Sequence, residues 1–369
     1  MVEKARAMIY RGLGHPMECT EYPVPDPEPG AILVKMRRAN ICGSDLHMWR
    51  GDVDLAGIGQ PMPVILGHEM TGEVAKLGDG VSTDSAGQPL AVGDRVVYRY
   101  FIPCGRCRAC LKGEDYYCPA AYITVVNPCE MAPHFLGAYG DYYYVRPTQT
   151  VFKVPDDLSD DMVAPANCAL SEVIFGLEKA KLTFGENIVI QGAGGLGVYA
   201  TAVAKDMGAA KVIVVDGIQE RLDMAKAFGA DELIDMREIK TPVERMLKVR
   251  ELTDGWGADV VANMVGFPEV VDEGIDMLAN GGRYLDIGDV SPLKSFQFDP
   301  SKLVIQSRTM IGVSLYTAEA LKKALDFLSR AKDRYPFDKI LSHTYKLEEI
   351  EKAFEEQNKG LIFRSTIIP

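Results

Sequence analysis

The spacing Cys104-x2-Cys107-x2-Cys110-x7-Cys118 constrains this chain more than any other feature, because four thiolates packed that tightly can close one tetrahedral shell around Zn²⁺. Gly105 and Gly113 supply the turns such a knot requires. A shell without a vacancy contributes folding free energy rather than catalysis. A second constellation differs in kind. Cys42, His68 with Glu69, and Cys168 are far apart in sequence and mix sulfur with nitrogen, the donor character of an open zinc site. One closed and one open site together predict a zinc enzyme.

At 369 residues the chain exceeds what one core usually supports, so two domains are expected. No run of about 18 apolar residues occurs. The opening Met1-Val2-Glu3-Lys4 carries no apolar signal core before the strand-like Ala7-Met8-Ile9-Tyr10. The chain therefore reads as cytoplasmic, with no membrane role. Its net charge of -12 argues against a nucleic-acid or anionic-membrane partner. Eight cysteines without an export signal read as metal ligands rather than disulfides. Cys19 and Cys129, outside both constellations, read as ordinary small side chains.

The first part, to about residue 165, alternates short β-like runs with Gly, Pro and Asp; examples are 32–36, 72–77 and 95–98. The segment 24–30, Val-Pro-Asp-Pro-Glu-Pro-Gly, is a connector that cannot enter a central strand ladder. From about residue 170 continuous apolar strands alternate with helices: 188–191, 211–216, 233–234, 259–262 and 284–287. That texture means a parallel sheet covered on both faces. The pattern closes near 313. Amphipathic helices over 319–329 and 347–354 then return the chain to the first domain.

Gly192-Ala193-Gly194-Gly195-Leu196-Gly197 is a weak signal alone, since Gly-rich turns are common. Here it follows a strand, opens a helix, and is answered by Asp216 at the end of the next strand, 19 residues after Gly197. Such glycines let the backbone approach a pyrophosphate at a helix N-terminus. Asp216 would accept from the adenosine ribose hydroxyls and repel a 2′-phosphate, which favours NAD over NADP.

Over nearly its whole length the chain resembles the zinc-dependent medium-chain alcohol dehydrogenases. The resemblance implies an α/β fold with a β-rich GroES-like catalytic domain over 1–165, its four-cysteine zinc lobe at about 101–120. A Rossmann doubly wound parallel-sheet domain follows over 166–313, and 314–369 returns to the catalytic domain. It also implies two zinc ions per chain, NAD, a small-molecule alcohol or ketone, and a homodimer or homotetramer. Residue by residue, Cys42, His68 and Cys168 fall on the catalytic zinc ligands, and Cys104, Cys107, Cys110 and Cys118 on the structural ones. Glu69 matches a carboxylate that approaches the metal during ligand exchange, and Asp45 the group that orients the ligand histidine. Ser44 and His47 match the hydroxyl and imidazole that relay the substrate proton to solvent. Arg221 falls where a basic residue contacts the ribose, and Arg364 where one meets the pyrophosphate. The implied reaction is reversible oxidation of an alcohol by hydride transfer to the nicotinamide.

The sequence departs from the family pattern at two places. Cys42-Gly-Ser-Asp-Leu-His47 resembles the polyol and secondary-alcohol branch, yet Cys168 stands where sorbitol dehydrogenases have glutamate. Glu172, four residues after Cys168, stands where relatives carry a small or apolar residue; a solvated helix position is the favoured reading. Trp49, Met131, Phe135 and Leu136 could wall an apolar pocket, though core is slightly favoured, and 51–61 reads as a loop. A bulky or cyclic secondary alcohol, a diol, a polyol and an amino alcohol such as threonine all remain open. Two rivals are a non-catalytic nucleotide-binding protein and an NADPH-dependent quinone or enoyl reductase of the same fold. The complete set of metal and relay positions counts against both.

Overall fold

The computed structural model describes residues 3–290, 294–360 and 362–369. The chain forms two compact units, one of residues 1–168, 317–332 and 337–369, the other of 169–316 and 333–336. The division falls after Cys168, three residues beyond the expected 165, so that cysteine belongs to the first unit.

In the first unit β1 (Lys4–Ile9) pairs antiparallel with β2 (Glu18–Pro23). A larger sheet contains β3 (Ile32–Asn40), β4 (Glu69–Leu77), β5 (Arg95–Tyr98), β6 (Tyr142–Val145) and β7 (Val151–Lys153). β3 is dense in β-branched and long apolar side chains, which suit a pleated surface covered on the core side. Its register with β4 matters most: Asn40 at the end of β3 faces Glu69 at the start of β4. The residues that continue past these ends, Ile41-Cys42 and Gly67-His68, therefore leave the sheet at one edge. Helix α1 (Gly43–Arg50) begins immediately after Cys42.

The second unit holds a parallel sheet of β8 (Asn187–Gln191), β9 (Lys211–Asp216), β10 (Glu232–Asp235), β11 (Ala258–Asn263), β12 (Leu278–Asp286) and β13 (Thr309–Gly312). Its spatial order is β10-β9-β8-β11-β12-β13, which in chain order is 3-2-1-4-5-6. That is the doubly wound dinucleotide-binding arrangement, whose ligands bind beyond the carboxyl ends of the strands where the order reverses. Val189, Ile213, Val261 and Tyr284, all fully buried, fill the core between sheet and helices. Gly197 shows why one position admits no side chain, since a Cβ there would stand 1.9 Å from the Gly192 carbonyl oxygen.

The last two strands, β14 (His343–Lys346) and β15 (Ser365–Ile368), rejoin the first unit's sheet, where β15 pairs antiparallel with β3. The expected helix over 347–354 is a short 3₁₀ turn followed by a helix at Ile350–Asn358. Among the described residues no helix is long and apolar enough to cross a membrane.

Candidate active site

The β3–β4 register and the irregular turn at Ala166–Leu170 bring Cys42, His68 and Cys168 together. Their ligand atoms lie within 4.8 Å of one another, with the Cys42 and Cys168 sulfurs 4.0 Å apart. Asp45, fully buried on the first turn of α1, organises this cluster. Its carboxylate accepts from the Cys42 N–H at 2.9 Å, the Gly67 N–H at 3.2 Å and the Tyr139 hydroxyl at 3.1 Å. His68 Nδ1 lies 3.3 Å from Asp45 Oδ1. A carboxylate can only accept, so Nδ1 carries the proton and Nε2 turns into the cluster. The Tyr100 ring, 4.7 Å away by centroids, packs against the imidazole.

The donor set fits zinc. Two sulfurs and one imidazole converge, and His68 is oriented from behind as metal-bound histidines usually are. The hydrogen bond from Cys168 pulls the Cys42 thiol well below its usual range against the effect of burial, with His68 assisting. A thiolate of that kind is a metal ligand in its binding form. Ser44 Oγ stands 3.3 Å from His68 Nε2, beside whatever the three donors hold.

Glu69 is fully buried and ion-paired with Arg364. Burial pushes its carboxyl above the ordinary range, with Arg364 opposing. Arg364 is thus engaged inside the first unit, because a buried carboxylate and a buried guanidinium each require the other. His47, on the last turn of α1, has Nδ1 2.9 Å from Asp52 Oδ2.

At the lobe, the ligand atoms of Cys104, Cys107, Cys110 and Cys118 again lie within 4.8 Å of one another. Backbone N–H groups of Arg106 and Cys107 lower the pKa of Cys104, and the Cys104 N–H itself reaches Cys118 Sγ at 3.2 Å. Among the described residues these two clusters are the groups of His, Cys, Asp and Glu able to hold a metal ion.

In the second unit the Gly-rich turn joins β8 to the helix Gly195–Asp206, with Gly194 as its N-cap. Gly192, Ala193 and Gly197 are buried, whereas Gly194, Gly195 and Leu196 reach the surface at the helix N-terminus. Asp216, 7% exposed, accepts from the N–H groups of Ala193, Gly217 and Ile218 at 2.7–2.9 Å. It therefore anchors the turn itself. Arg221 stands half-buried in the helix Gln219–Ala227.

Glu172 corrects the sequence reading: it is only 8% exposed, on the first turn of the Ser171–Lys179 helix, and is not a solvated position. Phe135 and Leu136 are core, Trp49 donates toward Glu351 and packs on Phe354, and Met131 is exposed. Sequence reasoning missed three residues. Asn167 donates to the His68 and Tyr98 carbonyls and accepts from the Met70 N–H, tying the neighbour of Cys168 to the backbone of His68. Asp52 and Arg50 attend His47. The only sequence signal for the latter pair was a base and an acid on either side of a glycine, the last residue of the helix and the first beyond its cap.

The sequence matches the family described as "Alcohol dehydrogenase GroES-like domain" over residues 28–156 and "Zinc-binding dehydrogenase" over 195–330. It is 32% identical to 5-exo-hydroxycamphor dehydrogenase of Pseudomonas putida, over 95% of each chain. It is 31% identical to an L-threonine 3-dehydrogenase of Pyrococcus horikoshii, covering 98% of this chain and 97% of the other. The crystal structure of an alcohol dehydrogenase from Thermotoga maritima superposes over 100% of both chains, with a TM-score of 0.90 at 30% identity. Near-complete coverage at this identity, on a chain with both thiol clusters and the 3-2-1-4-5-6 sheet, makes it a member of the zinc-dependent medium-chain alcohol dehydrogenase family.

Proposed function

We propose that this chain oxidises a secondary alcohol to a ketone, reversibly, with NAD⁺ as hydride acceptor, and carries two zinc ions. The observation that supports it most is the convergence of Cys42, His68 and Cys168, with Asp45 behind the imidazole and the Ser44 hydroxyl at its Nε2. Those three ligands would hold the catalytic ion, and the four lobe cysteines the structural one. Bound there, zinc supplies a Lewis acid that lowers the pKa of an alcohol hydroxyl. Ser44 receives the hydroxyl proton and His47 passes it to solvent. Asp45 and Tyr100 keep His68 from rotating, and the Glu69–Arg364 pair places a neutralised carboxylate in the buried layer beside it. The Gly194–Gly195 rim takes the pyrophosphate, and the Asp216 carboxylate disfavours a 2′-phosphate.

A homodimer or homotetramer is proposed as well. β13 lies at the edge of its sheet, and Val304, Ile305 and Met310 are exposed on and before it, an edge that a second copy would cover. Among the described residues none of the eight cysteines is in a disulfide, which suits a reducing cytoplasm.

Among substrates we favour a cyclic secondary alcohol, in line with the hydroxycamphor-oxidising relative, with L-threonine as the competing reading from the other relatives. The test is a panel of cyclic alcohols, diols, polyols, L-threonine and their ketones, followed by NADH and NADPH absorbance, alongside zinc analysis. Turnover of cyclic alcohols with NAD⁺ and two zinc ions per chain is expected. Turnover confined to quinones or enones with NADPH would overturn the reading.

A further inference from the structure

Three groups meet at the end of α1. Gly51, in the left-handed region at φ 81°, ends the helix, and the chain folds back so that the Val53 N–H bonds to the His47 carbonyl at 3.1 Å. This turn presents Asp52 to the side chain it has just passed. Asp52 Oδ2 lies 2.9 Å from His47 Nδ1 and also accepts from Arg50 Nε at 3.0 Å and a terminal Arg50 nitrogen at 2.7 Å. Arg50 is held in turn by the Asn358 side-chain oxygen at 2.8 Å.

His47 Nδ1 therefore has two neighbours of opposite kind: the Asp52 carboxylate, which can only accept, and the same Arg50 nitrogen at 3.0 Å, which can only donate. The two imply different tautomers. With Nδ1 bare, its lone pair would face the carboxylate lone pairs at 2.9 Å, a repulsive arrangement. With Nδ1 protonated, it donates to Asp52, and Arg50 is satisfied by Asp52 at the shorter distance of 2.7 Å. The Nδ1–H form has the lower energy. Of the acidic groups around this turn, Glu351 accepts from the Trp49 indole and the Met17 N–H, and Asp54 accepts from the Gly57 N–H.

We propose that Asp52, braced by Arg50, is a positioning residue of the reaction: it fixes His47 as the Nδ1–H tautomer, so that Nε2 is the nitrogen that accepts the substrate-derived proton. This rests on the relay role of His47 proposed above. One proton arrives at Nε2, giving an imidazolium that the Asp52 carboxylate stabilises, and the same proton then leaves to water. Without Asp52 the arrangement inverts. Arg50 becomes the nearest partner of Nδ1 and can only donate to it, which leaves the proton on Nε2 and removes the base.

The test uses the zinc-loaded enzyme labelled with [¹⁵N]histidine, and long-range ¹H–¹⁵N spectra that distinguish tautomers. The chain has five histidines, so the signal absent from His47→Gln assigns His47. Wild type should show Nδ1–H. Asp52→Ala should show Nε2–H. Asp52→Asn, whose oxygen can occupy the Oδ2 position, should retain Nδ1–H. Oxidation of cyclohexanol with NAD⁺ should fall in Asp52→Ala by about a hundredfold, the lower end of what a proton-transfer group contributes. Zinc content and the KM for NAD⁺ should hold, and Asp52→Asn should recover most of the rate. An Nε2–H wild type, or an unchanged tautomer in Asp52→Ala, overturns the proposal. Unchanged cyclohexanol oxidation in His47→Gln overturns the relay reading instead, and the tautomer spectra then still decide what Asp52 does.

Discussion

Asn40 stands opposite Glu69 in the antiparallel register of β3 and β4, and this one pairing brings Cys42 and His68, two of the three clustered donors, from opposite strand ends to the same edge. Cys42 leaves β3 two residues after Asn40, and His68 enters β4 one residue before Glu69. A slip of one residue would turn every side chain of a strand to the other face. The alternation Val34-Lys35-Met36-Arg37, buried, exposed, buried, exposed, opposes it. The hydrophobic pattern of a strand thus sets the geometry of a polar site at its end.

Asp45→Asn should weaken zinc binding at the proposed catalytic site by roughly 10–100-fold, the usual effect of losing a group that orients a ligand. Four donors converge on this carboxylate, from Cys42, Gly67, His68 and Tyr139. Asparagine offers a single acceptor oxygen and would turn its own N–H groups toward the others. Zinc retention against a graded chelator measures the effect. Wild-type retention in a folded variant would show that Asp45 does not orient His68.

Cys107→Ser should remove the proposed structural zinc ion and lower stability, because the lobe's four cysteines lie close enough together to complete one tetrahedral shell. For a loss of about 3 kcal/mol the midpoint of thermal unfolding falls by roughly 6–12 °C in a domain of this size. The catalytic ion should remain. A variant lacking the lobe zinc at unchanged melting temperature would contradict the structural assignment.

What could be read from sequence was local. The four-cysteine knot and the Gly-rich turn are contiguous, so their chemistry is fixed by spacing, and the alternation of strands and helices fixed the class of the second unit. Glu172 was misread because nothing in the sequence indicates which face of the Ser171–Lys179 helix is covered; its interior is buried nearly all round, from Ser171 to Leu177. Phe135 and Leu136 were ambiguous for a related reason, since core and pocket wall use the same side chains. Asn167 left no signal in the sequence, and Asp52 only the glycine that separates it from Arg50. Each acts through one turn of irregular backbone that no periodicity announces.

Asp216→Ser should lower the efficiency with NAD⁺ and raise the NADP⁺ to NAD⁺ ratio of kcat/KM by about an order of magnitude, equivalent to about 1.4 kcal/mol. The variant also loses the clamp on the Ala193 N–H, so part of the NAD⁺ loss reflects a loosened turn. The ratio, not the absolute rate, isolates the charge. An unchanged ratio would mean that the carboxylate serves the turn alone.

Glu172→Ala should reorder the alcohols the enzyme accepts, with polar ones losing more than apolar ones of similar size. A buried carboxylate costs several kcal/mol unless polar partners offset it, and Glu172 follows Cys168 by four residues along one helical stretch. Comparing kcat/KM for matched pairs, such as a cyclohexanediol and a methylcyclohexanol, measures the reordering. A uniform change across the pairs would assign Glu172 to the fold rather than to substrate choice.

Asp286→Asn should stabilise the protein above pH 6 and confer nothing below pH 4. Burial at the end of β12, with Asp289 adding repulsion, raises the Asp286 carboxyl to about 6. The folded state then binds more protons than the unfolded chain between about pH 4 and 6, so the wild type loses stability as pH rises through that window. Above pH 6 the ionised carboxylate carries its full cost. Two pKa units correspond to nearly 3 kcal/mol, and partial exposure reduces this to about 1–2 kcal/mol. Asparagine keeps the acceptor that Oδ1 presents to the Asn263 side chain and the Asp289 N–H, so neutralisation preserves these two hydrogen bonds. Urea midpoints of the two proteins should therefore diverge from pH 4 to pH 7 and run parallel beyond. A difference of the same size at pH 4 and pH 8 would mean that packing, not charge, separates them.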